Sequence, residues 1–234
     1  MNYKAVLFDL DGTLLDTLDD LGDSMNAVLT ARGYPTHPIR SYTSFVGDGV
    51  QNLVRRALPA AAGRNDAIVN ELVPLMRGEY SLRWAAKSRA YDGIPELLDG
   101  LTARGIRLAV LSNKPHPATL EVVAHFFPRW KFDATFGARP DVPIKPDAGA
   151  ALEVCRQLGV PPEAFLYLGD TDTDMQTASA AGMFAVGVLW GFRSAEELIS
   201  SGAKVIVSRP FEVLSLLDEE PRASPFPGEH LTNP

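Results

Sequence analysis

The sequence predicts an α/β protein, a Rossmann-like parallel sheet with helices on both faces, interrupted by an inserted α-helical cap. Three observations lead there. A short apolar run, Tyr3-Lys4-Ala5-Val6-Leu7-Phe8, opens the chain as a buried strand. Residues 18–89 then show helical periodicity and no strand pattern. From Tyr91 onward apolar runs alternate with helical segments, the signature of βαβ units. The core is therefore expected at 1–16 and 90–217, the cap at 17–89 and a loose tail at 218–234.

The elements follow in order. Asp11-Gly12 breaks the opening strand with a turn. Leu18, Leu21, Met25, Val28 and Leu29 recur at helical spacing and stop at Arg32-Gly33. Val50, Leu53, Val54, Ala57 and Leu58 mark a second helix, closed by Pro59. A third spans 65–87, with Pro74 expected to kink or divide it. Beyond Tyr91, a helix with Pro95 in its first turn runs to Ala103 and stops at Gly105. Residues 106–111 read as a strand, 117–127 as a helix and 134–136 as a short strand. The segment after Lys145-Pro146-Asp147 is a helix ended by Leu158-Gly159, and 165–168 is a strand. Helices at 175–181, 195–200 and 211–217 then alternate with strands at 184–189 and 204–207. From Glu219 onward four prolines and weak apolar periodicity predict no packed element.

Bulk properties narrow the function. With 234 residues and 46% hydrophobic content, the chain can bury a large core. It has no run of about 18 apolar residues, so no membrane span is expected. The N-terminus is unlike a secretory signal and the single cysteine forms no internal disulfide, which together predict a cytoplasmic protein. Cys155 falls at helical spacing with Leu152 and Leu158, as a core residue does. A net charge of −7 without any Lys/Arg block argues against nucleic acid or an anionic membrane as partner. An acidic chain can still hold a phosphate group through a metal ion, a placed lysine and backbone N–H groups at helix N-termini.

The polar clusters occupy one kind of position. Asp9 and Asp11, Ser112 and Asn113, and Asp170 and Asp174 each follow an apolar run, and Lys145 lies in a loop before a helix. If the strands are parallel, the strand-end clusters share one sheet edge, where ligands bind in open α/β sheets. Taken alone, Asp9-Leu10-Asp11-Gly12 could equally be turn chemistry. A carboxylate pair on a turning backbone can also supply a nucleophile and a proton-transfer group.

Asp9-Leu-Asp-Gly-Thr13, Ser112 after its strand, Lys145 before Pro146, and Gly169-Asp170 followed by Asp174 resemble, in order, the four motifs of the haloacid dehalogenase superfamily. Gly169-Asp-Thr-Asp-Thr-Asp-Met175 and Gly187-Val-Leu-Trp-Gly-Phe-Arg193 are similar to its phosphoglycolate phosphatase-like members. The resemblance implies a Mg²⁺-dependent phosphatase of a small phosphorylated metabolite, 2-phosphoglycolate first among them, working through an aspartyl-phosphate as a monomer or homodimer. It makes Asp9 the nucleophile, Asp11 the general acid/base and Lys145 the residue that neutralises charge. Ser112, Asn113 and Thr13 would hold or orient the phosphoryl group, with the Asn113 N–H acting at a helix start. Asp9, Asp170 and the Asp11 carbonyl would ligate Mg²⁺, supported by Asp174. Arg55, with its neighbour Arg56, is the expected cap contact for a substrate carboxylate, because Gly47-Asp48-Gly49 lets a loop approach the site.

Other residues have simpler readings. Asp172 serves a helix N-terminus, His116 a cap or solvent, Lys114 solvent or substrate, and Trp190 packs or covers a loop. Within the same superfamily, a sugar phosphomutase, a nucleotidase or a pyrophosphatase is the alternative. Outside catalysis, the pocket could act as a phosphoacceptor or metal sensor.

Overall fold

The computed structural model describes residues 3–218. In chain order the elements are β1 (Ala5–Phe8), β2 (Leu15–Asp16), α1 (Leu18–Ala31), a 3-10 turn (Ile39–Ser44), α2 (Val50–Ala57), α3 (Ala60–Gly63), α4 (Asp66–Ser81), β3 (Arg89–Ala90), α5 (Ile94–Ala103) and β4 (Arg107–Pro115). They continue with α6 (His116–Phe126), β5 (Ala134–Ala138), α7 (Gly149–Leu158), β6 (Phe165–Gly169), α8 (Asp172–Ala181), β7 (Phe184–Val188), α9 (Ala195–Ser200), β8 (Val205–Val207) and α10 (Glu212–Asp218).

Six strands form one sheet in the order β5-β4-β1-β6-β7-β8, every pair parallel. Side-chain alternation divides its residues between two faces. Val6 and Phe8 of β1 pack with Leu97 and Leu101 of α5 and Val122 of α6, whereas Ala5 and Leu7 pack with Val154 and Cys155 of α7 and Met175 of α8. Each leucine so buried contributes about 1.5–3 kcal/mol relative to an exposed one. Because β1 is central, with Phe8 level with Val110 of β4 and Leu168 of β6, the residues just past these three positions emerge side by side. That register builds the site.

The helical segment between β2 and β3 has its own core, formed by Met25, Leu29, Tyr42, Leu53, Val69 and Met76. The chain leaves and re-enters the sheet region through a two-residue antiparallel ladder, Leu15 opposite Ala90 and Asp16 opposite Arg89. Asp20 of α1 reinforces it. Its buried carboxylate accepts the backbone N–H groups of Lys87 and Ser88 and, at 2.7 Å, the Ser88 hydroxyl.

Several element bounds differ from expectation. The third helix stops at Ser81, and Pro74 lies inside it rather than dividing it. Pro74 is exposed, so the carbonyl it deprives of a partner is on the solvent side, where water can hydrate it. Strand β4 runs on through Pro115, four residues past the predicted end at 111, and pairs again with β5 at Ala138 after a register shift. Helix α8 begins at Asp172 because Thr171 and Asp174 form a capping box. The tail expected to be loose lies, from 219 on, outside the described residues.

Candidate active site

Asp9 directly follows β1, whose ladder its N–H extends by donating to the Leu168 carbonyl at 2.9 Å. Asp9 is 6% exposed. The chain then turns at Gly12, whose φ of +94° suits glycine. From the loop before α7, Lys145 reaches in with Nζ 2.8 Å from Asp9 Oδ1 and 2.6 Å from Asp174 Oδ1. Asn113 holds that loop in place: its side-chain amide donates to the Lys145 carbonyl at 3.1 Å and accepts the Lys145 N–H at 2.9 Å.

Asp170, past the end of β6, is fully buried. One of its oxygens accepts the Thr13 hydroxyl at 3.1 Å and the other the Phe192 N–H at 2.9 Å. Trp190 extends this arrangement by donating its indole N–H to the Thr13 carbonyl at 2.9 Å. Asp174 accepts four donors: Lys145, the Tyr167 hydroxyl at 3.3 Å, and the N–H and hydroxyl of Thr171 at 3.1 and 2.6 Å. Its acceptor capacity is therefore consumed by the protein.

Carboxylate oxygens of Asp9, Asp170 and Asp174 lie within 4.8 Å of one another, all buried. Three carboxylates face one lysine. Burial, then the Asp174 charge, push Asp9 up to about 7 against the opposing pull of Lys145. Asp170 is raised well above the ordinary carboxylate range by burial and then by Asp174 and Asp9. The cluster thus lacks positive charge, which a hard cation bound by carboxylate oxygen would supply. Because Asp174 is saturated, Asp9 and Asp170 are the carboxylates with capacity left for such an ion.

Asp11, two residues on, faces a different partner. Lys114 Nζ donates to its Oδ1 at 2.7 Å, to its Oδ2 at 2.8 Å and to the Tyr80 hydroxyl at 3.1 Å. Burial opposes the charge of Lys114, but Asp11 and Tyr80 outweigh burial and raise its pKa. Lys114 is therefore an enclosed ion-pair partner and not the solvated lysine allowed for above. Neither that pairing nor Tyr80 was foreseen.

Ser112 is buried beside a cavity of about 530 Å³ lined by Asp9, Asp11, Ser112 and Lys114 on the sheet side. Its Oγ accepts the Lys114 N–H at 3.1 Å. Asn113 lies within β4 and not at a helix start, since α6 begins at His116. His116 accepts the Gly137 N–H at 3.2 Å, a structural bond.

Loop 47–49 lies against this edge. Asn113 donates to the Gly47 carbonyl at 3.3 Å, Thr173 donates to Asp48 Oδ1 at 2.5 Å, and Arg193 donates to the carbonyls of Thr43 and Val46. Arg55, expected to reach substrate, points elsewhere. It binds the Gly63 carbonyl at 2.8 Å and Asp66 at 2.7 Å, because α3 and the start of α4 supply a nearer acceptor and counter-charge. Arg56 is likewise held by Asp48 and the Phe45 carbonyl. Neither arginine lines the cavity; Arg77 of α4 does.

Known proteins resemble this chain in sequence and in fold. The haloacid dehalogenase-like hydrolase family matches residues 3–182. The chain is 32% identical to a phosphoglycolate phosphatase of Nitrosospira multiformis over 218 residues, covering 92% of this chain and 96% of that one. It is 30% identical to a phosphoglycolate phosphatase of Pseudomonas putida over 211 residues, covering 87% and 76%. A crystal structure from Lactobacillus delbrueckii subsp. bulgaricus, provisionally named a phosphoglycolate phosphatase, superimposes with a TM-score of 0.87 at 31% identity, covering 93% of this chain and 99% of that one. The match to the family profile over most of the chain, together with these relatives, shows that the protein belongs to the haloacid dehalogenase-like hydrolases and is similar to their phosphoglycolate phosphatase-like members.

Proposed function

We propose that this phosphoric monoester hydrolase cleaves a small phosphomonoester, with 2-phosphoglycolate the leading candidate, through an aspartyl-phosphate on Asp9 and with Mg²⁺ as cofactor. The observation that carries the reading is the convergence of Asp9, Lys145, Asp170 and Asp174 at one buried sheet edge, with Asp11 and Ser112 facing the adjoining cavity. The names of the relatives supply the substrate class.

Asp9 and Asp170, with the Asp11 carbonyl, would hold the ion, and Asp174 would support it through Lys145. When bound, Mg²⁺ offsets the carboxylate charge and stabilises charge on the transferring group. The Asp9 carboxylate attacks phosphorus in line. Its O–P bond forms as the ester P–O bond breaks, and Asp11, which must carry a proton in the substrate complex against the pull of Lys114, gives it to the leaving alcohol oxygen. Water then attacks the acyl phosphate, Asp11 takes back a proton, and the Asp9–phosphorus bond breaks to release phosphate. Ser112 and Lys145 bind phosphoryl oxygens, and Thr13 orients Asp170. The lid over these steps is the helical segment 17–89, which we treat as the cap.

The test is phosphate release from a panel of phosphomonoesters with Mg²⁺, with Asp9→Asn as the blank. Turnover is expected for the native chain, none for Asp9→Asn and none in EDTA until Mg²⁺ is returned. Robust turnover by Asp9→Asn sinks the nucleophile assignment, and isomerised sugar phosphate without free phosphate points to a mutase.

A further inference from the structure

Two cations line the cavity among the described residues, Lys114 and Arg77. Lys114 is fully committed. An ammonium has three donors, and here they go to Asp11 Oδ1, Asp11 Oδ2 and the Tyr80 hydroxyl. Lys145 is held between Asp9 and Asp174, and Arg55 and Arg56 are bound within the helical segment. Arg77 differs from all of these. Among the described residues its guanidinium enters no ion pair or hydrogen bond, and Glu121 of α6, which lines the same cavity, stays beyond the 4.0 Å of an ion pair. The side chain is exposed, so it stands at the cavity rim with its N–H donors open to a ligand.

The position of Arg77 on α4 sets what it can meet. Arg77 and Tyr80 are three residues apart and therefore neighbours on one helix face. Tyr80 reaches Lys114, and Lys114 holds Asp11, the residue proposed to protonate the leaving alcohol. A substrate whose leaving oxygen faces Asp11 thus extends the rest of its leaving group into the cavity towards α4, where Arg77 lies one turn before Tyr80. The wall around it is apolar, from Leu21, Val50, Leu53, Met76 and Trp84. A substrate carboxylate brought there loses hydration and needs a counter-charge, and Arg77 is the cation with donors to give.

We infer that Arg77 is the specificity residue for the substrate carboxylate, its planar guanidinium pairing with both carboxylate oxygens while the phosphoryl group sits at Asp9 and Ser112. The inference rests on the phosphatase reading and deepens it by naming the residue that selects an anionic leaving group. The carboxylate takes no part in bond making and keeps its charge throughout. Arg77 therefore acts on ground and transition states alike, and its effect falls on KM with kcat unchanged.

The experiment compares 2-phosphoglycolate with its neutral isostere, the phosphate ester of glycolamide, in the native chain, Arg77→Gln and Arg77→Lys, with Asp9→Asn as the blank. Hydrogen bonds to charged groups are worth roughly 10–100-fold in binding, so Arg77→Gln should raise KM for 2-phosphoglycolate by about that factor with kcat retained. Both constants for the neutral ester should stay as they are. Arg77→Lys keeps the charge but loses the fork, and should recover part of the preference. Because the side chain is exposed and glutamine is a good helix former, Arg77→Gln should melt with the native chain. Should it misfold, the native chain decides: added salt should narrow its preference for the charged ester, and equal KM values for the two esters at low salt overturn the inference. An unchanged KM for 2-phosphoglycolate in a folded Arg77→Gln, or an equal loss on both esters, also overturns it and leaves the phosphatase reading standing. No phosphate from either ester in the native chain overturns both.

Discussion

Lys114 Nζ sits astride the Asp11 carboxylate, 2.7 Å from Oδ1 and 2.8 Å from Oδ2, and its third hydrogen bond goes to Tyr80 on α4. The residue proposed to shuttle the proton is thus positioned by a cation that the helical segment itself helps to hold. Lys114→Met should lower kcat by about tenfold to hundredfold, short of the roughly 10²–10⁴-fold that general acid–base catalysis is worth and that Asp11→Asn should cost. Tyr80→Phe removes a single acceptor and should cost less than about tenfold. Lys114→Arg should recover part of the loss. Steady-state kinetics check this; a Lys114→Met effect confined to KM would remove the positioning role.

Gly191 bears on Asp170 from the other side. A Cβ there would lie 2.3 Å from the Asp170 Cβ and 2.4 Å from the Gly12 carbonyl oxygen, so backbone would have to move. Gly191→Ala should destabilise the fold by about 1–3 kcal/mol and displace Asp170, abolishing most turnover and raising the Mg²⁺ concentration needed for half-activity. Gly78, on α4, meets nothing within 4 Å. Gly78→Ala should instead stabilise by about 0.5–1 kcal/mol with activity retained, because helical glycine is entropically costly. Thermal melts of the two variants should therefore move in opposite directions, and only Gly191→Ala should shift the Mg²⁺ titration.

The contrast between these glycines shows what sequence could reveal. Asp9, Ser112 and Asp170 were legible because each adjoins a local apolar run, and the parallel register then brings the three together. Lys145 was legible through its motif. The Lys114–Tyr80 bond spans 34 positions and the Thr173–Asp48 bond 125, and both depend on how the helical segment is laid over the sheet edge. Local periodicity carries no such information. Arg55 failed for a related reason: helical spacing marks it as polar, but the competing Gly63 carbonyl comes from a short helix that the pattern did not resolve, and the approach of Asp66, in the first turn of α4, depends on how the helices pack.

Asp20 should govern stability more than chemistry. It is buried and accepts two backbone N–H groups and a hydroxyl from Lys87 and Ser88, the residues leading back into the sheet region. Asp20→Ala strands those donors, each costing about 1–3 kcal/mol when left unsatisfied. A total loss of several kcal/mol in denaturant unfolding is expected. Asp20→Asn keeps an acceptor oxygen and should lose less than half as much. Equal losses for the two variants would mean that packing, not hydrogen bonding, is what the carboxylate provides.

Asp48 should make the contact between loop 47–49 and the sheet edge sensitive to acid. Burial alone would raise its pKa, but the Thr173 hydroxyl and the Arg56 guanidinium, with Arg193 beyond, outweigh burial and hold it below the ordinary carboxylate value. The folded state therefore binds its proton less readily than the unfolded chain, and the stabilisation is fully present above the unfolded value of about 3.9. It disappears as pH falls through the lower folded value. Because the side chain is partly exposed, solvent screening limits the effect to about 1 kcal/mol. The native chain should be more stable than Asp48→Asn by about that amount at pH 6, and the gap should close below about pH 4. Hydrogen exchange of the Gly47 and Gly49 amides, measured in both proteins across that range, locates the change. A gap that persists unchanged into acid would show that the carboxylate charge contributes nothing, and the loop would then be held by Arg193 and Asn113 through their carbonyl contacts.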